Sequence, residues 1–405
     1  MSPLATAHCS LYTVSNMHAI VRNKLLVVTY MLTILYALHY GIPLYATSSY
    51  LHEYFNSSLI SSLYLIASVI ALMTSISVAK YIKRFHTYPF TFSLVIVEII
   101  AMLIFGMTEN IYILGLFFII HFILQTLLYI CLNVFIESFS KSAETGSIRG
   151  LFLALLNLGI LISPLIGGTI LSRSSFEMLY IVSALTLIPF LFFLRKYLTH
   201  IQDPAYHSID LPSSFKLAWN NKNIRAALIA ELVIQCFYAV MIIYSPIYLA
   251  TLGIPLTVYL TYIIPLALIP LVVLPYELGF LADSRFGEKE LLIIGLLILA
   301  VTTFLCVVVT SSNPLVWVFI LLVSRIGASF VETMAFTYYF KKVEPEDASL
   351  TALFINTGSV ATIIVGAIGV TVSPFLVVRP QLMFVILGCA ILWSISYVMP
   401  MKDTR

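Results

Sequence analysis

Ionisable side chains stand inside long apolar segments of this chain, where a charge is costly and is usually functional. Glu98, Glu231 and Arg325 each lie within a run of about twenty predominantly apolar residues. A buried carboxylate can gain and lose a proton near neutral pH, so Glu231 is the first candidate for proton coupling and Glu98 is the second. We expect Glu231 and Arg325 to face a wet cavity, where they can pair directly or through water.

Other polar residues follow these charges at helical spacing. Intervals of three, four or seven residues place side chains on one face of a helix, and four such stripes occur: Tyr36 and His39; His121 and Gln125; Glu231, Gln235 and Tyr238; and Arg325, Ser329 and Glu332. Except for Ser329 and Glu332, these residues are our candidates for binding a substrate. A single His, Gln or Tyr in a helix is also commonly a packing residue or an interfacial anchor.

The composition excludes a soluble protein. Of the 405 residues, 61% are hydrophobic and 10% are charged, with a mean hydropathy of +1.04, whereas a soluble domain carries about 25% charged residues. The net charge of +3, without a basic cluster, gives no support for nucleic-acid binding. The five cysteines are scattered singly, without metal or CxxC spacing. We therefore predict an integral membrane protein without a metal or cofactor.

Twelve apolar segments are long enough to cross a bilayer as helices, which takes about 20 residues. Transmembrane β-strands would be half as long and would alternate in polarity. The segments lie near residues 25–47, 58–79, 89–107, 111–136, 150–171, 177–195, 225–249, 257–282, 290–310, 314–338, 350–374 and 381–399. The predicted fold class is therefore all-α and membrane-embedded, with twelve transmembrane helices.

Basic residues fall almost entirely on one side of these segments. With the N-terminus in the cytoplasm, all of the 21 Lys and Arg residues except Arg173, Arg325 and Arg379 lie in cytoplasmic connections or termini, as the positive-inside rule requires. We predict a multi-pass protein of the plasma membrane (the cell inner membrane) with both termini cytoplasmic.

Short matches relate the first six segments to the last six. Four pairs share an offset of about 200 residues: Pro43–Tyr45 with Pro246–Tyr248, Arg84–Phe85 with Arg285–Phe286, Phe135–Ser138 with Phe330–Thr333, and Asn157–Gly159 with Asn356–Gly358. Four matches at nearly one offset favour an internal duplication. We predict two pseudo-symmetric six-helix halves at 1–195 and 224–405, joined by a cytoplasmic linker at 196–223.

The connection after the eighth segment carries the sharpest motif. The stretch GFLADSRFGEK at 279–289 resembles the G-x-x-x-D-R-x-G-[R/K] loop signature of the major facilitator superfamily, with a Ser in the usual Arg position and the Arg one step later. The residues that carry it are Gly279, Asp283, Arg285 and Gly287. The corresponding stretch after the second segment keeps only the positive charges.

This resemblance implies a transporter that works by alternating access, with the loop acting as a gate latch. Asp283 would lie at the N-terminus of the fifth helix, where an anion is favoured, and Arg285 would pair with Glu332. Such contacts form when the cytoplasmic side is closed and break when it opens. The alternative is a static salt bridge that anchors helix ends.

A second motif lies in the fifth segment. The stretch GILISPLIGG at 159–168 is similar to the G-x-x-x-G-P-x-x-G-G motif of antiporters in this family, many of which export drugs; its members are Gly159, Ser163, Pro164, Gly167 and Gly168. Ser163 replaces the second glycine of the motif. The resemblance implies export by antiport, whereas the alternative is that small residues here let helices pack closely.

We therefore predict a secondary active transporter of a small molecule, preferably a proton-coupled exporter, and not an enzyme. A symporter or facilitator for sugars, amino acids or other metabolites is the alternative. By resemblance, the first, fourth, seventh and tenth helices line the central cavity and the third is peripheral, which leaves Glu98 either a proton site or a buried structural group.

Two function classes outside transport remain as alternatives. One is a membrane-embedded enzyme, although the sequence has no HExxH, GxSxG or phosphate-loop motif, and the other is a non-transporting sensor. The predicted partners are the small-molecule substrate, protons and the lipid bilayer, without nucleic acid, and we expect a monomer.

Overall fold

The computed structural model describes residues 24–139, 145–199, 211–282, 286–343, 348–376, 379 and 381–402, and these are helical nearly throughout. The long helices, labelled α1 to α12, are Lys24–His52, Ser57–Phe85, Thr87–Met107, Ile111–Phe139, Thr145–Arg173, Phe176–Tyr197, Lys222–Ile243, Leu256–Leu281, Glu288–Val308, Pro314–Lys342, Leu350–Leu376 and Leu382–Val398. Eleven of them are long and apolar enough to cross a membrane, and α12 is a shorter apolar helix of 17 residues. The all-α membrane class is confirmed, while the twelfth span stays a prediction.

Two helix breaks coincide with the repeat that the sequence predicted. In α1, the stretch Lys24–Leu44 ends just after Pro43, and the chain resumes as Thr47–His52. Likewise α7 ends at Ile243 and is followed by Ser245–Thr251, which has Pro246 in its first turn. Proline lacks the N–H group and crowds the preceding turn, so it interrupts a helix at both places.

Equivalent helices pack alike in the two halves of the sequence. α1 packs against α5 as α7 packs against α11; α3 packs against α4 as α9 packs against α10; and α3 contacts α6 as α9 contacts α12. Between the halves, α2 packs along α11, and α5 packs on α8. This pattern supports the predicted duplication, although the division at 196–223 stays a prediction.

The predicted linker contains a short amphipathic helix, Leu211–Asn220. Its apolar side chains Phe215, Leu217 and Trp219 are exposed, and the guanidinium of Arg225 at the start of α7 lies over the Trp219 ring. Linker residues 200–210 lie outside the described residues.

Polar contacts join the halves at the end of the bundle where α1 ends and α2 begins, here called the distal end. The Tyr244 hydroxyl lies 2.8 Å from the Ser61 hydroxyl, and Ser48 donates to the backbone oxygen of Ile242 at 3.3 Å. Since Ser61 donates its own hydrogen to the Ser57 carbonyl, Tyr244 is the donor in the pair. These two hydrogen bonds hold α1 and α2 to the end of α7 at the distal end.

Candidate functional site

A cavity of about 110 Å³ lies between the two halves of the sequence. α1, α2, α4, α7 and α11 contribute its walls. Four rings, Tyr40, Tyr64, Phe118 and Phe122, make it largely aromatic. The predicted candidates His121 and Gln125 line it as well, whereas no α10 residue appears among the described lining.

His121 connects this cavity to a buried carboxylate. Its Nδ1 lies 2.5 Å from Oε1 of Glu98, and Nε2 of His39 lies 2.9 Å from the same oxygen. Glu98 and His39 are fully buried, and His121 is 4% exposed. The three residues, from α1, α3 and α4, form a single group that we call the triad. Glu98 is therefore tied to the helices that bound the cavity, although it stands on α3.

Hydrogen-bond geometry defines the protonation of the triad. Nδ1 of His39 lies 3.1 Å from the backbone oxygen of Ser183, which can only accept, so Nδ1 carries a hydrogen. The other nitrogen, Nε2, then needs a further hydrogen between itself and Oε1 of Glu98, because two lone pairs would repel. Whether this hydrogen belongs to the imidazole or to the carboxyl group, His39 and Glu98 share it, and the pair is neutral overall.

A break in α6 makes this arrangement possible. α6 is interrupted at Thr186, which leaves the carbonyl of Ser183 open to side chains. Thr186 donates to it at 2.6 Å, and the Ser183 hydroxyl donates to the His39 backbone oxygen at 2.7 Å. The ring of His39 is thus fixed in orientation, with Nε2 directed at Glu98.

Two imidazoles and a carboxylate are also a ligand set for transition metals, and the three ligand atoms lie within 4.8 Å of one another. Atoms around a tetrahedral zinc ion lie roughly 3.3 Å apart. The separations of 2.5 and 2.9 Å from Glu98 to the two histidines are shorter and fit direct hydrogen bonds.

Tyr36 supports the cavity wall without lining it. Its hydroxyl donates to the backbone oxygen of Gln125 at 2.9 Å, and its ring stacks on Tyr40 with centroids 6.1 Å apart. The two residues of this predicted stripe therefore have different roles. Tyr36 holds α1 to α4, and His39 belongs to the triad.

The candidates on α7 and α10 form a separate cluster, in which Glu231 and Arg325 are buried. Gln235 donates to Oε1 of Glu231 at 2.8 Å, and Tyr238 donates to Glu332 at 2.6 Å. The guanidinium of Arg325 lies over the Phe237 ring, 4.8 Å from its centroid. Within the described ranges, Glu231 and Arg325 make no ion pair with each other.

Comparison with known proteins places the chain in a family. Residues 148–367, more than half of the chain, match the family model of the Major Facilitator Superfamily. The chain belongs to the major facilitator superfamily. No curated protein matches it in sequence.

Solved structures agree with this fold. The crystal structure of nucleoside transporter NupG superimposes with a TM-score of 0.74 at 14% identity, covering 95% of this chain and 100% of that one. A bacterial homolog of the human lysosomal transporter Spinster, in an inward-facing and occupied conformation, gives a TM-score of 0.72 at 12% identity, covering 93% and 95%. At these identities the likeness concerns the fold alone. The family and these two neighbours are transporters, which are generally not enzymes.

The antiporter-like motif of this superfamily member lies at two helix interfaces. Gly159 packs against Ala37 of α1, and a methyl group at Gly168 would overlap the Thr261 side chain of α8. Ser163 donates to the Gly159 carbonyl at 2.7 Å within α5. The motif therefore brings α5 against α1, and at Gly168 it brings the two halves of the sequence together.

Replacing Gly168 by Ala is expected to reduce transport, because the added methyl group pushes α8 away from α5 at the distal end. Gly150→Ala is the matched control on the same helix, since nothing lies within 4 Å of a methyl group there. Flux in proteoliposomes at equal protein content measures both variants. Equal flux for the two would contradict a role for this close approach.

Only part of the loop signature lies within the described residues. Asp283 and Arg285 lie outside the described residues, so the predicted contact of Arg285 with Glu332 stays a prediction. Gly287 has a φ of +81°, a conformation that side chains disfavour, and it precedes the first turn of α9. Glu332 contacts Tyr238 within the membrane-spanning region.

Several residues of the candidate site were not predicted from the sequence. Ser183 orients the triad, and Tyr64 and Thr362 line the cavity. Each is an ordinary residue for a spanning helix, so its type carried no signal. Tyr40 could have been found, because it lies four residues after Tyr36 on α1 and these two rings stack.

Proposed function

We propose that this protein is a secondary active transporter that moves a small molecule by alternating access and couples this movement to protons at the triad. Family membership and the fold support the alternating-access part. The observation that carries the coupling is the hydrogen-bonded contact of His39 with Glu98, which is one hydrogen bond away from His121 of the cavity wall.

His121 supplies a route for this proton. Its Nδ1 donates to Glu98, and in the described part of the chain its Nε2 makes no hydrogen bond. An imidazole can accept a proton at one nitrogen while it releases one from the other. A proton from the cavity can therefore enter at Nε2 of His121 while the Nδ1 proton passes to Glu98.

Loss of the shared proton changes the position of α1. Without it, the lone pair of Nε2 in His39 faces a buried carboxylate, so the link between α1 and α3 becomes repulsive. His39 is adjacent to Tyr40, which lines the cavity. A protonation change at Glu98 thus acts on His39 and, through α1, on Tyr40 in the cavity wall. Coupling requires such a link between the proton site and the cavity.

These contacts favour Glu98 over Glu231, the reverse of the order that the sequence suggested. Among the described residues, Glu231 hydrogen-bonds to Gln235, one turn along its own helix, so its protonation would alter no hydrogen bond between helices there. Glu98 links three helices. Glu231 remains the second candidate, because its Oε2 is buried without a partner.

Export by proton antiport remains the preferred direction, supported by the α5 motif. A metabolite symporter or facilitator is the alternative, since Gly159 and Gly168 also act in packing.

The proposal includes twelve spanning helices in two halves, a monomer, and an inner-membrane location with both termini cytoplasmic.

A flux screen in proteoliposomes tests this function. We expect at least one small solute to be transported, at a rate that rises when a pH gradient is imposed, with a matching proton movement reported by a dye inside the vesicle. Solute transport that ignores the pH gradient would rule out proton coupling and favour a facilitator.

A further inference from the structure

Arg325 is a buried cation whose counter-charge is missing. Its side chain is 1% exposed, near the middle of the long helix α10. Both its Nε and its Nη1 lack a hydrogen-bond partner. Within the residues that the structure describes, no carboxylate lies within 4.0 Å of the guanidinium. An uncompensated charge at this depth is strongly unfavourable.

Aromatic rings surround this cation but do not neutralise it. The ring centroids of Phe237 and Tyr238 of α7 stand 4.8 and 6.0 Å from the guanidinium carbon, and Tyr45 of α1 is near enough to interact with the guanidinium electrostatically. Ring faces attract a cation only modestly, and a hydroxyl group satisfies one donor without adding a negative charge. The remaining N–H groups stay available for an acceptor.

Arg325 does not line the described cavity, but two of its aromatic neighbours stand next in sequence to residues that do. Tyr238 directly precedes Ala239, a cavity residue of α7, and Tyr45 directly follows Leu44, a cavity residue of α1. Ser329, one helical turn from Arg325 on the same face, is buried and its hydroxyl also lacks a partner. Within the described residues, unused donors of two neighbouring α10 side chains thus collect on one face of this helix.

We propose that Arg325 binds an anionic group of the transported molecule, a carboxylate or a phosphate, with Ser329 as a further donor. The planar guanidinium matches both groups through paired N–H donors, and the rings of Phe237 and Tyr238 accommodate an apolar or aromatic body beside the anion. This inference rests on the proposed transport function and gives the chemical class of its substrate.

Binding to the purified full-length protein tests the inference at one pH and without a gradient. Benzoate and phenyl phosphate serve as probes, with uncharged benzamide as the matched control. We expect both anions to raise the melting temperature of the wild type and benzamide not to. In Arg325→Met, affinity for the anions should fall about tenfold to a hundredfold, the range of a lost charge-assisted contact.

The ligand-free variant supplies a second readout. Arg325→Met removes an unpaired buried charge and keeps an apolar side chain, so it should raise the melting temperature without ligand. Arg149→Met is the control for a lost positive charge, because Arg149 is exposed and its nearest carboxylate oxygen, on Glu137, is 4.0 Å away. It should leave anion binding unchanged.

Nanodiscs distinguish two sources of the anion. If phosphatidylglycerol in a phosphatidylcholine disc raises the melting temperature of the wild type but not of Arg325→Met, the anion is a lipid headgroup. If only the soluble probes raise it, the anion belongs to a solute. Equal responses of wild type and Arg325→Met to both anions and to the lipid, or a lower melting temperature of the ligand-free variant, would overturn the proposal. Since no proton movement is measured, these outcomes are independent of coupling at Glu98.

Discussion

Glu98→Gln is expected to abolish flux driven by a pH gradient while exchange of substrate across the membrane continues. Glutamine has nearly the shape of protonated glutamic acid. Its amide nitrogen can donate to Nε2 of His39 and, when His121 carries its hydrogen on Nε2, to Nδ1 of His121, but it cannot release a proton. The variant therefore imitates the protonated triad permanently. Two assays on the same proteoliposomes separate these effects: accumulation under an imposed gradient, and counterflow at equal pH on both sides.

Glu231→Gln is the control for removing a buried carboxylate. Its contact with Gln235 lies within α7, so we expect coupling to persist in this variant. Coupling that survives in Glu98→Gln and disappears in Glu231→Gln would restore the order that the sequence favoured. If each of the two variants loses exchange together with coupling, the loss is not specific to proton transfer. The triad is then a structural group, which is the other interpretation of Glu98.

Gly369→Ala is expected to lower transport strongly by disrupting these contacts at the distal end. A methyl group on this α11 residue would overlap the Tyr244 hydroxyl and lie 2.6 Å from the Ser61 hydroxyl. The hydrogen bond that joins α2 to α7 must then break or α11 must shift. Gly358→Ala is the matched control on α11, because its nearest neighbour, Oε1 of Gln235, is 3.5 Å away.

A second substitution sharpens this test. Tyr244→Phe removes the oxygen that the new methyl group would meet, so the double variant should recover part of the transport lost in Gly369→Ala. Such coupling between neighbouring changes is what a double-mutant cycle measures. Additive losses would show that the two residues act separately, and unchanged flux in Gly369→Ala would show that this contact does not limit transport.

Local chemistry explains why the fold class could be predicted. A helix in a bilayer must form its backbone hydrogen bonds internally and present apolar side chains to lipid. A spanning helix can therefore be recognised from one continuous apolar stretch of sequence. The predicted segment at 89–107, for example, matches the helix Thr87–Met107, and the three-residue gap before Ile111 was already visible. Pro43 and Pro246 marked helix breaks for the same local reason.

Spacing within one helix predicted part of the candidate site. The four-residue interval of His121 and Gln125 placed both on one face, and both line the cavity. The same rule paired Glu231 with Gln235. It could not show that Tyr238 bonds to Glu332 of α10, because spacing carries no information about which neighbouring helix a face meets.

The sequence by itself determined the membrane class and the positions of the long apolar helices, since these depend on residues close together in the chain. Only the tertiary structure decided the partners. His39, Glu98 and His121 come from three helices, and they meet because α3 packs against α4 and α6 while the break at Thr186 orients His39. Arg325, which could pair with Glu231 directly or through water, makes no direct ion pair with it among the described residues and lies over the ring of Phe237. Helix packing sets these distances, and no interval along the chain encodes them.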